Sequence, residues 1–206
     1  AQVDQGQFEL RDFNESAVAR YLSEQPRGSV VGYDPRLHSP DALKRLQTAA
    51  KRAGVTLKPV DSNPLDSAWG AERPAQPQAP VVPHPIDYAG EDAADKRARI
   101  GKAIDEAGAD MALLTAPTSV AWLFNIRGGD VIRSPLPLGQ ALIDVEGRAR
   151  LFLDPAKVTN ELPGWLGEDV TLETPETLAS ALDEMKGRSV LIDPGQSAAW
   201  YFDRVE

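Results

Sequence analysis

The sequence predicts an α/β fold in which helices flank a mixed β-sheet. Short β-like runs alternate with helical patterns of roughly ten to fifteen residues, an order typical of such sheets. Two of the runs are joined by a hairpin-type turn, so part of the sheet must be antiparallel. One series of elements also occurs twice, which indicates two copies of a single α/β unit, the first of them truncated.

The clearest helix spans residues 39–54 and is marked at both ends. Ser39 is a preferred N-cap residue, Pro40 suits the first helical position, and Gly54 is typical of the residue that ends a helix. Apolar residues recur at helical spacing and predict one buried face, made of Leu43, Leu46, Ala50 and Ala53.

Three further helices are predicted from similar signals. Segment 174–187 starts with Thr174 and Pro175 in the same roles. Segment 92–108 ends at a glycine, and a weaker helical pattern covers 14–24. The predicted buried face of segment 174–187 consists of Leu178, Ala181, Leu182 and Met185.

Six β-like runs lie beside these helices. They are 29–34, 111–116, 139–145, 149–154, 169–173 and 189–193. The runs 139–145 and 149–154 flank Glu146-Gly147, a turn sequence that predicts a hairpin. The chain also opens inside a predicted strand.

A proline-rich stretch, residues 72–85, divides the chain. Its prolines exclude a helix and favour extended chain. We interpret it as an ordered crossing segment, because the flanking basic residue of an SH3-type ligand is missing. The predicted domains are 1–72, the C-terminal part of a first unit, and 86–206, a second unit truncated at its C-terminal end, with a linker at 73–85. The prolines are Pro74, Pro77, Pro80, Pro83 and Pro85.

The repeated series supports this division. In each copy a helix ends at a glycine, Ser-Val opens an apolar strand, and Asp-Pro separates that strand from the next helix. The two pairs are Asp34-Pro35 and Asp193-Pro194. Proline stops the strand, and the aspartate can accept hydrogen bonds from backbone N–H groups at the turn. Chance similarity is the alternative explanation, because strand–turn–helix series are common.

Two expectations concern completeness. The chain starts at Ala1 inside a predicted strand and stops at Glu206 inside a predicted helix, so we expect a fragment of a longer protein. Residues 1–72 contain too little of a sheet to stand alone. We expect them to be held by the second unit, by swapping, or by a companion chain.

Composition excludes several classes of protein. The formal net charge of −9 argues against a nucleic-acid partner, because phosphate binding needs clustered Lys and Arg. Cysteine is absent, which excludes thiolate catalysis, Cys-ligated zinc and disulfides. This absence fits a reducing compartment, and we expect a cytoplasmic protein. No apolar run has the length of a membrane span, so no membrane partner is expected.

The loop FNIRGGDVIRSP, residues 124–135, follows an apolar run and carries two glycines. Its spacing matches neither the dinucleotide fingerprint nor the Walker phosphate loop. One interpretation is a tight turn in which Gly128 and Gly129 adopt positive φ. Arg127 and Asp130 would then form pairs or cap backbone groups. The other interpretation is a substrate-channel role for Arg127 or Asp130.

No other set of residues forms a self-sufficient active site. His38 lies in a turn before a helix and His84 in the proline-rich stretch, so local spacing does not bring them to one metal. There is no G-x-S-x-G motif, and the many carboxylates cannot be ranked by spacing. We therefore assign no catalytic and no metal-binding residue.

The stretch SVAWLFNIRGGDVIRSPLPLGQALI, residues 119–143, resembles the second domain of the long, three-domain Xaa-Pro aminopeptidases (aminopeptidase P). That family carries Ala-Trp-Leu-hydrophobic-Asn-hydrophobic-Arg-Gly-x-Asp-Val, followed by a proline and an apolar strand. Two further stretches, 31–40 and 63–80, resemble the family in the same order. The matching motif positions are Ala121, Trp122, Leu123, Asn125, Arg127, Gly128, Asp130, Val131 and Pro135.

The resemblance implies a creatinase N-terminal-like fold for both units. It also implies a non-catalytic region of an enzyme that hydrolyses the bond between the first residue of a peptide and a proline at the second. In that family a pita-bread domain holds two divalent ions, usually manganese, on two Asp, two Glu and a His, and a bridging hydroxide attacks the bond. These ligands cannot be placed in this chain, which should bind no catalytic metal and be inactive alone.

The resemblance further implies partners and a role for the loop. The expected partners are the pita-bread domain, a second copy in a homodimer, and the peptide substrate of the parent. Arg127 and Asp130 are the candidate residues at the substrate entrance. Two alternatives stay open. One is a non-catalytic binding module of the histone-chaperone type, and the other is a related pita-bread enzyme such as prolidase or creatinase, whose short forms lack the first unit.

Overall fold

A computed structural model of the protein describes residues 3, 4, 6, 7, 10 and 17–206. Single 3-10 turns cover Gly70–Glu72, Pro155–Lys157 and Pro175–Thr177. Within the described residues the α-helices are α1 (Ala17–Glu24), α2 (Pro40–Ala53), α3 (Pro64–Trp69), α4 (Ile86–Ala89), α5 (Ala93–Glu106), α6 (Pro117–Leu123), α7 (Leu162–Leu166), α8 (Leu178–Asp183) and α9 (Ala199–Val205).

Each of the six predicted β-like runs contains a strand. The strand predicted at the start of the chain falls largely outside the described residues, as do residues 14–16 of the weakest predicted helix. Three short strands, at 56–59, 82–83 and 126–127, were not predicted. The strands are β1 (Val30–Tyr33), β2 (Thr56–Pro59), β3 (Val82–Pro83), β4 (Met111–Leu114), β5 (Ile126–Arg127), β6 (Gln140–Asp144), β7 (Ala149–Phe152), β8 (Val170–Glu173) and β9 (Val190–Leu191).

The main sheet of the described chain has the strand order β8-β7-β6-β4-β9. β6 runs antiparallel to both of its neighbours, β7 and β4. The outer pairs, β7 with β8 and β4 with β9, are parallel. The predicted hairpin is β6–β7, and its turn contains Gly147 at φ 80°. The predicted mixed sheet is therefore confirmed.

Helices cover the sheet on both faces because side chains alternate along its strands. On one face Ala141 and Ile143 of β6 pack in an apolar cluster with α5, α6 and α7. On the other face Leu142 of β6 and Phe152 of β7 pack with α8 and α9. Both Leu142 and Ile143 are fully buried, so each face has its own core.

The predicted ends of the helix over 39–54 are confirmed, whereas those of the helix over 174–187 are not. In α2, Ser39 Oγ accepts a hydrogen bond from the N–H of Ala42 at 3.3 Å, and Gly54 has φ 73°. The single helix predicted over 174–187 is instead a 3-10 turn followed by α8, which ends at Asp183. Thr174, at the start of that 3-10 turn, makes no side-chain capping hydrogen bond.

The first unit is small. β1 and β2 form a parallel pair, and α1 packs on α2. In the described part, its apolar cluster contains the buried residues Leu22, Ala50 and Val55, and Leu43 is buried as well. The order α1, β1, α2 corresponds to α8, β9, α9 in the second unit, which is the order that the repeat predicts.

Both Asp-Pro turns have the hydrogen bond proposed for them. Asp34 Oδ1 accepts from the N–H of Arg36 at 2.8 Å. Asp193 Oδ1 accepts from the N–H of Gly195 at 2.8 Å. The same local geometry therefore follows the strand in each unit.

The two Asp-Pro turns also lie against each other. At the start of α9, the N–H groups of Ala199 and Trp200 donate to the carbonyl oxygens of His38 and Pro35, at 2.7 and 3.1 Å. The N–H of Asp41 in α2 in turn donates to the carbonyl oxygen of Pro194 at 3.3 Å. Each unit thus satisfies free amides at a helix start of the other.

The proline-rich stretch is extended, as predicted, and contains β3. This strand pairs antiparallel with β5, with Val82 opposite Arg127. Val81 is fully buried in the cluster that also contains Ala141 and Ile143. The pairing fixes the start of the loop that follows α6, where the candidate site lies. The role of 73–85 as a domain linker stays a prediction.

Candidate functional site

The loop after α6 begins with β5 and rejoins the sheet at β6. Its backbone takes positive φ at Asn125 (48°) and Arg133 (64°). The prediction of positive φ at Gly128 and Gly129 is wrong, because neither glycine adopts it. Asparagine tolerates the left-handed region better than most residues, so Asn125 carried a signal that sequence analysis did not use.

The two loop glycines instead allow other parts of the chain to pack closely against the loop backbone. A Cβ atom on Gly128 would lie 2.9 Å from Cα of Pro137, and one on Gly129 would lie 3.2 Å from Cβ of Ala79. The N–H of Gly128 also donates to the carbonyl of Pro135 at 3.3 Å. The absence of a side chain at Gly128 therefore lets two backbone segments of the loop meet.

Asp130 is the buried centre of the loop, and its side chain has no exposed surface. Oδ1 accepts from the N–H of Ala79 at 3.1 Å. Oδ2 accepts from the N–H of Leu138 and from Nζ of Lys157, both at 2.7 Å. Burial by itself raises the pKa of this carboxyl, but the hydrogen bonds from Lys157, Leu138 and Ala79 outweigh burial, so the pKa is lowered.

Lys157 completes this arrangement, and sequence analysis missed it. It is 5% exposed and ends a 3-10 turn whose start is capped by Asp154, which accepts from the N–H of Ala156 at 2.9 Å. Its Nζ also donates to the carbonyl of Leu138 at 3.1 Å. Lys157 lies 27 positions from Asp130, and no local pattern links the two. Asp130 thus pairs and caps backbone groups, as the first interpretation of the loop expects.

Arg127 on β5 is partly buried. Its Nη1 donates to the carbonyls of Ile126 at 2.8 Å and Ala121 at 3.3 Å. Burial, together with the charges of Arg127 and Lys96, lowers the pKa of His84. Arg127 therefore places a partly accessible positive charge next to a histidine that favours its neutral form.

A second cation lies close to Arg127. Lys96 on α5 is 2% exposed. Its Nζ donates to Asn125 Oδ1 at 2.7 Å and to the carbonyl of Trp122 at 3.1 Å. Asn125 Nδ2 in turn donates to the carbonyl of Glu91 at 2.8 Å. Burial lowers the pKa of Lys96, and the charge of Glu91 offsets only part of this effect.

The loop and its neighbours offer binding groups rather than a metal centre. Among the residues that the structure describes, no group of three or more His, Asp or Glu could hold a metal ion, so they do not fit a two-metal site. In the same part of the chain no helix is long and apolar enough to cross a membrane. The entrance role of Arg127 and Asp130 stays a prediction. Asp130 has both oxygens engaged, whereas Arg127 is a partly exposed residue.

Sequence comparison relates the chain to a group of peptidases. The protein named "Probable Xaa-Pro aminopeptidase P" of Ajellomyces capsulatus (strain H143) is 34% identical over 154 residues, 74% of this chain and 24% of that protein. The protein of the same name in Aspergillus niger is 34% identical over 170 residues, 81% of this chain and 28% of that protein. The chain thus spans about a quarter of the length of these curated relatives.

Structural comparison gives a consistent result. The crystal structure of X-prolyl aminopeptidase from Caenorhabditis elegans matches with a TM-score of 0.75 at 24% identity, over 86% of this chain and 28% of that one. That protein is described as a cytosolic enzyme with a di-nuclear active site. The likeness confirms the predicted creatinase N-terminal-like fold. Residues 72–206, well over half of the chain, match the family model of the creatinase/prolidase N-terminal domain. The chain therefore belongs to the creatinase/prolidase N-terminal domain family.

Proposed function

We propose that this chain is the non-catalytic N-terminal region of a Xaa-Pro aminopeptidase. Its parent hydrolyses the bond between the first residue of a peptide and a proline at the second, with a hydroxide held by two divalent ions, manganese in this proposal. The observation that carries the proposal is the similarity to proteins named Xaa-Pro aminopeptidase P, 34% identical over 154 residues. The chain spans about a quarter of such relatives, so the ligands and the reaction belong to the remainder.

Within the parent, the region shapes the substrate entrance. Arg127 supports this role because the residue is partly exposed and its described hydrogen bonds go to neutral carbonyls. Such an arginine can hold a carboxylate side chain that lines the entrance. Asp130 acts indirectly, since it fixes the loop through Lys157 and two backbone amides.

The test is to extend the source reading frame past Glu206 and to assay the resulting protein. We expect the added part to contain two Asp, a His and two Glu as metal ligands. We also expect cleavage of a Xaa-Pro-Yaa peptide that a chelator abolishes and manganese restores. The 206-residue chain alone, as the matched control, should cleave nothing. A frame that stops at Glu206, or lacks those ligands, contradicts the proposal.

The same preparation tests two further parts of the proposal. We propose that the parent is a homodimer, which sedimentation equilibrium measures directly. A monomer at micromolar concentration would contradict it. We also propose a cytoplasmic location, which the absence of cysteine supports because disulfides are rare in reducing compartments. Cell fractionation checks it.

A second candidate is a binding module without catalysis. The net charge of −9 favours it, because an acidic surface attracts basic proteins. Binding of histones by this chain at moderate salt, together with an inactive parent, would favour this candidate. Prolidase and creatinase activities are separated in the same assay by offering a Xaa-Pro dipeptide and creatine beside the longer peptide.

A further inference from the structure

The surface beside Arg127 combines basic groups with exposed aromatic rings. His84 stacks on Tyr88 with ring centroids 5.9 Å apart. Nζ of Lys96 lies 4.7 Å from the ring centroid of Trp122, and Arg99 Cζ lies 5.5 Å from it. Asn125 links the two groups, because its carbonyl accepts from the N–H of His84 and its side chain accepts from Lys96. We call it the basic–aromatic face and define it by His84, Tyr88, Lys96, Arg99, Trp122 and Arg127.

Two cations of the basic–aromatic face have no carboxylate partner in the part of the chain that the structure describes. The hydrogen bonds of Lys96 go to Asn125 Oδ1 and to the carbonyl of Trp122, and those of Arg127 go to two carbonyls. Lys96 nevertheless feels the charge of Glu91, which itself pairs with Arg99 at 2.7 Å, so Arg127 is the cation of the face left without a nearby counter-charge among the described residues. A partly exposed arginine that bonds only backbone carbonyls fits an anionic partner.

The aromatic members point to a protein partner. Trp122 is 42% exposed and Tyr88 is 78% exposed, and the neighbouring Ile86 is 51% exposed. Trp, Tyr and Arg are the residue types most enriched where two proteins bind each other tightly. A nucleic acid would meet long-range repulsion from the net charge of −9. A protein surface with one or two carboxylates beside apolar side chains avoids this repulsion.

The face is held in place by its own hydrogen bonds. The N–H of His84 donates to the carbonyl of Asn125 at 2.7 Å. Nε1 of Trp165 donates to the same carbonyl at 3.1 Å. Asn125 is 3% exposed and bonds both Lys96 and the carbonyl of Glu91 through its side chain. Such pre-organisation lowers the entropic cost of docking a partner.

We propose that the basic–aromatic face packs against a carboxylate-bearing surface in the part of the parent protein outside these 206 residues. This inference rests on the proposed function. It also rests on the length of the parent protein, because the region matched by this chain makes up only 24% and 28% of two curated relatives. Arg127 pairs with a carboxylate of that surface. Trp122 and Tyr88 pack against the apolar side chains around it.

Hydroxyl-radical footprinting tests the proposal, because it reports the exposure of individual side chains. The oxidation rates of Trp122 and Tyr88 are compared between the 206-residue chain and the full parent. We expect both rates to fall several-fold in the parent. Trp69, which is 52% exposed in the first unit, is the reference and should change much less. Equal rates for Trp122 in the two proteins would overturn the proposal, as would equal protection of all three residues.

A charge variant tests the role of Arg127 in the same experiment. Arg127→Gln in the parent removes the charge and keeps a hydrogen-bond donor. We expect Trp122 to be oxidised several-fold faster in this variant than in the unaltered parent, at a rate close to that in the isolated chain. The matched control is Arg73→Gln, which removes an exposed cation paired with Asp66 at 2.9 Å and should leave Trp122 protected. Unchanged protection in Arg127→Gln would contradict the pairing.

The footprint separates this inference from the proposed function. A parent that cleaves Xaa-Pro peptides but leaves Trp122 exposed refutes the interface alone. A parent without peptidase activity that protects Trp122 refutes the function alone. Protection of Trp122 in the isolated chain that rises with its concentration would identify a second copy as the occupant and overturn the proposal.

Discussion

Asp130 joins three separate parts of the chain at one carboxylate. It accepts hydrogen bonds from Ala79 in the proline-rich stretch, from Leu138 just before β6, and from Lys157 after β7. Both side chains of the ion pair are nearly or fully buried. In such a site the loss of one partner leaves the other charge buried and uncompensated.

We therefore expect Asp130→Ala to lower the free energy of unfolding by about 3–5 kcal/mol. Urea unfolding followed by circular dichroism measures the change. Asp66→Ala is the matched control, because Asp66 forms an exposed pair with Arg73 whose loss should cost no more than about 1 kcal/mol. An effect of Asp130→Ala as small as that of the control would show that the buried pair contributes little.

Asp130 also makes stability depend on acidic pH. Burial, which raises its pKa, is outweighed by hydrogen bonds, so the pKa in the folded chain lies below the value of about 3.9 for an unfolded aspartate. The stabilisation is complete well above the unfolded value and is lost as pH falls through the folded pKa. We expect the free energy of unfolding to fall less steeply below about pH 4 in Asp130→Asn than in the unaltered chain. Parallel pH profiles from urea titrations would contradict this.

The helix α5 packs unusually close to the β6–β7 hairpin. Asp92 caps the start of the helix by accepting from the N–H of Ala94 at 2.7 Å. In the middle of the helix, a Cβ on Gly101 would lie 2.6 Å from the carbonyl oxygen of Val145 and 2.9 Å from the backbone nitrogen of Gly147. The obstacles are backbone atoms, so they cannot rotate away. A glycine inside this helix is therefore a packing requirement.

Gly101→Ala should destabilise the protein even though alanine favours a helix by about 1 kcal/mol over glycine. We expect a net loss of about 1–3 kcal/mol, because the helix must move off the hairpin. Gly164→Ala in α7 is the matched control, since no atom within 4 Å would meet its Cβ and it should be neutral or stabilising. Thermal unfolding of both variants measures the difference. A rise in melting temperature for Gly101→Ala would show that α5 can shift at little cost.

At the scale of the whole molecule, the two units differ in how much core they contain. The described part of the first unit buries Leu22, Ala50 and Val55 in its cluster. The second unit has two clusters on opposite faces of a sheet. Small cores rarely supply enough burial to offset conformational entropy. We therefore expect the first unit to depend on the reciprocal contacts between the two Asp-Pro turns.

We expect a 1–72 fragment to show no cooperative unfolding, whereas a 73–206 fragment should retain a cooperative transition. The 73–206 fragment should have a lower midpoint than the whole chain, because α9 loses the carbonyls of Pro35 and His38. Urea unfolding of the two fragments and the whole chain, followed by circular dichroism, measures this. A 1–72 fragment that is folded, monomeric and cooperative would contradict it.

Sequence patterns predicted correctly those features whose geometry depends on residues close together in the chain. The cap of α2 at Ser39 and the turn of the β6–β7 hairpin follow from residues a few positions apart. Apolar spacing correctly predicted the buried face of α8, but it did not predict where that helix begins and ends. Strands β3 and β5 could not be predicted, because a pair of residues has no periodicity and their pairing joins Val82 to Arg127 across the chain.

Local sequence signals were enough to predict the α/β class, the mixed sheet and the Asp-Pro turns. These features rest on period, cap and turn chemistry, which act over a few residues. By contrast, the contacts of Asp130 with Lys157, of Lys96 with Asn125, and between the two Asp-Pro turns became apparent only in the folded chain. Such contacts depend on how the sheet and helices pack. Residues far apart in the chain meet only after the apolar faces have been buried, and no local pattern encodes that meeting.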